Sequence, residues 1–197
     1  KVFGGAVSMD GTFTGTEPSV AQKLEVQQEE KRRIAQFAAG LIQADDFVYL
    51  DAGTTTGYIL DYLPVHSATF VTNAVSHAKR LAAAGNRVIL IGGELKGTTE
   101  AVVGSQAILA IQSYHFTKGF FGTNGVSKRH GFTTPDPSEA LVKQAAMRQT
   151  ENCYVLADSQ KFGMVSSVTF APFDGAIILT ETEVPEGFAG SKNVRIV

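Results

Sequence analysis

Four residues in the segment "FVYLDAGTTTGYIL", Phe47 to Leu60, have types and spacing suited to holding an anion. Gly53, Thr54, Thr55 and Thr56 stand where an apolar run ends and a short amphipathic segment begins. The glycine allows close backbone approach. The first turn of a helix offers free N–H groups and the positive end of its dipole. Three hydroxyls add further donors, and the set suits a phosphate. The competing reading is a helix N-cap by Thr54 or Asp51 with nothing bound. Lys161, in "DSQKFG" after another apolar run, either supplies a point charge for the same anion or is a surface lysine. Asp158 binds sugar hydroxyls or orients Lys161. Asn73 carries both a donor and an acceptor, as hydroxyl recognition requires, or caps the next helix. Glu139 falls at N3 in "DPSEALVKQ", with Asp136 as N-cap and Pro137 at N1, so capping competes with ligand binding there.

Other chemistries are poorly supported. The sequence contains neither "GxxxxGK[ST]" nor a G-x-G-x-x-G after a strand. "GTNGVSKRHG" is the nearest approach, with the wrong spacing. The four histidines and one cysteine show no metal-site spacing, and no serine lies in a nucleophile elbow. His130, in the loop after an apolar run, is the one histidine placed where a general base could act. Cys153, inside "CYVLA", reads as a buried structural thiol, and a lone cysteine fits a reducing compartment.

Alternating strands and helices must position these residues. Val2–Val7 reads as a short strand and residues 8–23 as loop. One amphipathic helix is expected over "LEVQQEEKRRIAQFAAGLI", with Ile34, Phe37, Ala38, Leu41 and Ile42 facing the core and Gln27–Arg33 solvated. Strands are expected at 47–50, 69–72, 87–91, 118–122, 153–157 and 175–180. Helices are expected around Tyr58–Tyr62, then at 74–84, 105–112 and 138–149. Uniformly apolar strands alternating with helices indicate an α/β domain with a mostly parallel sheet and helices on both faces. Ligands in such sheets bind beyond the carboxyl ends of the strands. Those ends read "DAGTTT", "TNA", "GGE", "FGTNG" and "ADSQK", a rim of small polar groups from five distant segments.

The chain has 197 residues, one domain's worth, and is 44% apolar, enough for an ordinary core. Its net charge is −2 and its pI about 6.1, against the basic balance of a phosphate-gripping DNA-binding domain. No run is long and apolar enough for a membrane-spanning helix. The chain starts at Lys1, in a strand-like run, and reads as a piece of a longer protein.

"GGAV", "EEKRRIAQFAAGLI", "YLDAGTTT", "FVTNAV", "ILIGGEL", "AVVGSQA", "FFGTNGVSKRHGFTTPDPSEALVKQAAM" and "VLADSQKFG" occur in an order and spacing that resemble the effector-binding domain of DeoR-family transcriptional repressors. The resemblance covers nearly the whole chain. Within the family it is to fructose operon repressors of Gram-positive bacteria, through "DAGTTT", "GFTTPD" and "EALVKQAAM". It implies the fold of ribose-5-phosphate isomerase and glucosamine-6-phosphate deaminase, and a cytoplasmic sensor spanning 1–197. It implies a winged helix-turn-helix ahead of the chain, through which operator DNA is bound. It further implies a homodimer or homotetramer, no cofactor, and a phosphorylated sugar effector, fructose 1-phosphate being favoured. Phosphate contacts fall on Gly53, Thr54, Thr55 and Thr56, with Lys161. Asp51, Asn73, Gly92, Gly93, Glu94, Gly122, Asn124, Glu139 and Asp158 are expected to line the sugar. The family commonly has serine where this chain has Gln160, which leaves Lys161 in place. An isomerase or deaminase using His130 is the alternative, disfavoured because the acids that accompany the histidine in such enzymes are absent.

Overall fold

The computed structural model describes residues 11–16, 18–64 and 68–197. The strand expected over Val2–Val7 and the "GGAV" motif lie outside them. In chain order the elements are β1 (Thr12–Phe13), α1 (Val20–Leu24), α2 (Gln28–Gly40), β2 (Phe47–Leu50), α3 (Thr54–Ile59), β3 (Thr69–Thr72), α4 (Val75–Ala83), β4 (Arg87–Leu90), β5 (Glu94–Lys96), β6 (Ala101–Val103), α5 (Ser105–Gln112), β7 (Phe116–Gly122), β8 (Gly125–Ser127), β9 (Gly131–Thr134), α6 (Pro137–Arg148), β10 (Thr150–Leu156), β11 (Met164–Val165), β12 (Val168–Ala171), β13 (Ile177–Thr180) and β14 (Val194–Ile196).

Seven strands form one sheet in the order β14-β13-β10-β7-β2-β3-β4, with every neighbouring pair parallel. The carboxyl halves of the central strands β2, β3, β7 and β10 are mostly apolar because both faces are covered there. Val48, Leu50, Phe70 and Phe120 pack with Ile34, Ala38, Ile59 and Leu81 from α2, α3 and α4. Tyr49, Val71, Phe121 and Val155 point the other way, onto Ala107, Ile111, Val142 and Ala146 from α5 and α6. The alternation of side chains along each strand therefore feeds two separate cores. This is the α/β architecture expected, a parallel sheet with helices on both faces.

The register brings strand ends level. Leu50 pairs with Phe120 and Thr72, and Leu156 pairs with Gly122. Strands β2, β3 and β4 run outward one way and β7, β10, β13 and β14 the other. The reversal falls between β2 and β7, and it opens a crevice at their carboxyl ends.

Three expectations fail. Residues 8–23 are not all loop: β1 pairs with β11, and α1 is a turn of helix. A capping box makes α1, since the Ser19 hydroxyl accepts from the Gln22 N–H and the Gln22 side chain accepts from the Ser19 N–H. The single helix expected over residues 24–42 is instead α1 and α2, broken at Gln27, whose φ of 52° is left-handed. Gln27–Arg33 is not uniformly solvated, because Lys31 is only 5% exposed. The short antiparallel strands β8, β9 and β12, and the β5–β6 hairpin, add to the expected series.

Candidate functional site

Asp51 is the first residue past β2, and its side chain spans the reversal point. Its Oδ2 accepts from the Gly122 N–H at 3.0 Å and from the Lys143 ammonium. The same ammonium donates to the Gly122 carbonyl at 3.1 Å. The loops after β2 and β7 are thus tied together by α6. Asp51 is 2% exposed, and burial holds its carboxyl above the ordinary range against the pull of Lys143.

The rest of "DAGTTT" is fixed from within. The Thr56 hydroxyl lies against the carbonyls of Asp51 and Gly53, at 2.7 and 3.0 Å, and the residue is fully buried. Its one proton is committed to backbone, so the Thr56 hydroxyl is not a donor for a phosphate. Asn73 is neither cap nor liner. Its Oδ1 accepts from the Ala52 N–H at 3.0 Å and its Nδ2 donates to the Val102 carbonyl at 3.2 Å. Thr72 does the capping-like work, its hydroxyl accepting from the Ala74 N–H at 3.0 Å.

Parts of that scaffold and the residues around it line a cavity of about 60 Å³. Ala52, Gly53, Thr54 and Thr55 form one wall, and Gly122, Thr123 and Asn124 form a second. Glu139 and Lys143 come from α6, Lys161 from the 3₁₀ turn Ser159–Lys161 after β10, Lys31 from α2 and Lys23 from α1. An adjoining cavity of about 270 Å³ shares Ala52, Gly53 and Thr54 and continues beneath Val20 and Leu24 of α1.

Among the described residues, four lysines therefore meet one lining carboxylate in a chain whose net charge is −2. Burial, reinforced by Lys161 and Lys23, holds the Lys31 ammonium below the usual lysine range, with Asp158 opposing. Burial works to raise the Glu139 carboxyl, but Lys143, Lys96 and the Thr99 hydroxyl outweigh it and hold it low. Its Oε1 accepts from Lys96 at 2.8 Å and from Thr99 at 2.6 Å. The capping reading of Glu139 is half right. Its N–H is capped by Asp136 at 2.9 Å, but its carboxylate turns to Lys96 and Thr99 rather than back to the cap.

Of the expected residues, Gly53, Thr54, Thr55, Lys161, Gly122, Asn124 and Glu139 meet at this cavity. Asp51 and Asn73 brace it from behind. Asp158 is buried as the cap of the 3₁₀ turn, accepting from the Gln160 N–H at 3.2 Å, and its carboxylate stands 4.0 Å from Lys161. Orienting Lys161 is the role its geometry supports. Gly92, Gly93 and Glu94, expected to line the sugar, do not line this cavity. Gly93, at φ +151°, opens the β5–β6 hairpin, where a Cβ would stand 2.6 Å from the Val103 carbonyl. Glu94 is exposed on β5. His130 lines a different and much larger groove, of about 1140 Å³, with Arg148, Phe170 and Phe173.

Sequence reasoning missed Lys23, Lys31 and Lys143. Lys143 had a legible signal: Glu139, Ala140, Lys143 and Ala146 share one face of α6 at i, i+4 and i+3 spacing, and that face is the buried one. Lys31 similarly lies on the face of Ile34, Ala35 and Ala38.

The DeoR C-terminal sensor domain model matches residues 26–181. An uncharacterized HTH-type transcriptional regulator, FruR, of Bacillus subtilis (strain 168) is 41% identical over 185 residues, 93% of this chain and 73% of that protein. A lactose phosphotransferase system repressor of Staphylococcus aureus (strain N315) is 36% identical over 86% of this chain and 68% of its own. Among solved structures, ribose 5-phosphate isomerase A from Neisseria gonorrhoeae matches with a TM-score of 0.52 at 15% identity, over 73% of this chain and 56% of that one. That likeness shows a shared fold. Among the described residues no helix is long and apolar enough to cross a membrane. By its family match and its relatives, this chain belongs to the DeoR C-terminal sensor domain family.

Proposed function

We propose that this domain senses a phosphorylated sugar, in the cytoplasm, for a repressor of sugar transport or catabolism genes. The observation that carries the reading is the lysine-rich cavity at the sheet's reversal point. Lys31 and Lys161 supply charge for a phosphate, and the N–H groups and hydroxyls of Thr54 and Thr55 supply directed donors. Asn124 and Glu139 stand on the opposite side, where sugar hydroxyls would lie. Lys143 is engaged by Asp51 and serves as scaffold.

Fructose 1-phosphate is the effector we favour, ahead of fructose 1,6-bisphosphate, fructose 6-phosphate and tagatose 6-phosphate. We further propose that operator DNA is bound by a helix-turn-helix domain ahead of this one, in a dimer or tetramer that matches a palindromic site. The names of the regulator and repressor relatives support this. The same names support a regulator rather than an enzyme. His130, the base in the enzyme alternative, lines the separate groove and not the phosphate cavity.

Calorimetry with fructose 1-phosphate, fructose 6-phosphate, inorganic phosphate and fructose tests the reading. Binding of a sugar phosphate with no heat from fructose is expected. Equal binding of fructose and fructose 1-phosphate would overturn it.

A further inference from the structure

We propose that α1 is a strap across the ligand chamber, latched by Lys31 and released when a ligand phosphate takes the Lys31 ammonium. The inference rests on the reading of the cavity as a phosphate site and concerns how occupancy is passed on.

The strap is short and lies near the surface. It is five residues long, none of them buried. A single isolated turn of helix has little stability of its own. At its start the Val20 N–H donates to the Thr98 carbonyl at 3.3 Å, in the turn of the β5–β6 hairpin. At its end the Lys31 ammonium donates to the Lys23 carbonyl. Between strap and α2 stands Gln27 in its left-handed conformation, a natural pivot. The firm helix beyond it begins with the turn that carries Lys31.

The latch is chemically exchangeable. Lys31 is a buried cation whose hydrogen-bond acceptor is a neutral carbonyl, with Lys161 and Lys23 close enough to disfavour its charge. A phosphate oxygen is the stronger partner, because both members of the bond are then ionised. A phosphate that draws the Lys31 ammonium towards itself takes it from the Lys23 carbonyl, and the C-terminal end of α1 loses one of its ties.

Space demands the same movement. The cavity under Lys23 is about 60 Å³, well short of the ~300 Å³ at which small-molecule sites begin. The neighbouring cavity of about 270 Å³ shares three loop residues with it and is roofed by Val20 and Leu24. Displacing α1 joins the two into a chamber at the lower end of that range. The ligand then binds the released state better than the latched one, which is the differential affinity a switch requires. On release α1 itself gains freedom, between the β1–β11 pair on one side and Gln27 on the other.

The chain contains no tryptophan, so Leu24→Trp, at an exposed position, places a single fluorophore on the strap. Acrylamide quenching of the L24W protein is followed during titration with fructose 1-phosphate, with calorimetry on the same samples. Quenching is expected to rise at least twofold, with the midpoint of the heat signal. Adding Lys31→Met should give that high quenching without ligand, in a protein that still melts cooperatively. A second route is a Val20→Cys/Thr98→Cys pair, which locks the strap when oxidised. Cys153 is a poor competitor because burial pushes its thiol up to about 11. The locked form should bind at least tenfold more weakly, with affinity recovered on reduction. Heat of binding with unchanged quenching, or a locked form that binds normally, overturns the latch. Absence of heat with every sugar phosphate overturns the site reading instead, and the ligand-free Lys31→Met comparison still decides the latch: quenching as low as in the parent would sink it.

Discussion

Asp51 and Lys143 are 92 residues apart in sequence and form an ion pair almost wholly out of water, at 2% and 5% side-chain exposure. Each carries a buried charge whose main compensation is the other. Lys143→Met leaves the Asp51 carboxylate uncompensated and is expected to cost about 3–5 kcal/mol in urea unfolding. Asp51→Asn/Lys143→Met together should cost less than Lys143→Met alone, because no lone charge is then buried. A double variant less stable than either single one would refute the pairing as the reason.

Thr55 and Thr56 are adjacent and should respond differently. Thr55→Ala is expected to weaken sugar-phosphate binding by about 1–2 kcal/mol, one charge-assisted hydrogen bond, with little change in melting temperature. Thr56→Val removes the proton shared by two backbone carbonyls in a fully buried place, and should destabilise by about 1–3 kcal/mol. Calorimetry and thermal melts on the two variants separate the roles. Equal losses of affinity without loss of stability would place Thr56 back among the ligands.

His77 makes stability depend on pH. It is buried on α4 with its Nδ1 unpartnered, and a Cβ on Gly57 would stand only 2.9 Å from its Nε2. Burial first, then Arg80, lowers its pKa to about 4, while a backbone hydrogen bond with Gly53 opposes. The folded value lies below the unfolded 6.5, so between them the unfolded chain binds the extra proton. Its contribution is complete above pH 6.5 and is lost as pH falls towards 4, to the extent of about 3 kcal/mol. His77→Leu should flatten that part of the profile, as read from urea midpoints at intervals between pH 7 and pH 4.

Glu139 is, among the described residues, the one carboxylate lining the lysine cavity. Glu139→Gln withdraws a like charge from the neighbourhood of the anion. Inorganic phosphate should then bind about threefold more tightly, some 0.6 kcal/mol for charges about 8 Å apart across a solvated site. The preference for sugar phosphate over inorganic phosphate should shrink. Competition calorimetry reads both, and weaker phosphate binding would show that Glu139 does not act through its charge.

The strands and the loops at their ends were legible because a two-sided parallel sheet writes itself as uninterrupted apolar runs, such as "FVYL" and "TFVT", closed by polar residues. The lysines were harder to read, helical periodicity being their one signal. Lys31 lies in a charged run whose simplest reading is a wet face, and only the break at Gln27 and the crevice beyond it bring that turn inside. Asp51 looked like a ligand and proved a brace, since its partner Lys143 arrives from a helix that sequence distance hides. Glycines mislead for a related reason. Gly53 at the cavity and Gly93 in the hairpin are the same letter answering different steric demands. The small strands β8, β9 and β12 have 3, 4 and 4 residues, too few for alternation to register.

The reversal of strand order between β2 and β7 also has a meaning in time. A ribosome delivers "DAGTTT" early, yet its opposite wall, Gly122–Asn124, comes some seventy residues later, Lys143 later again, and Lys161 last of all. The cavity has no existence in a nascent chain that stops short of Lys161, however well its first half has folded. On the proposed reading, a copy truncated within α6 has no site for a sugar phosphate, and only the finished domain can sense one.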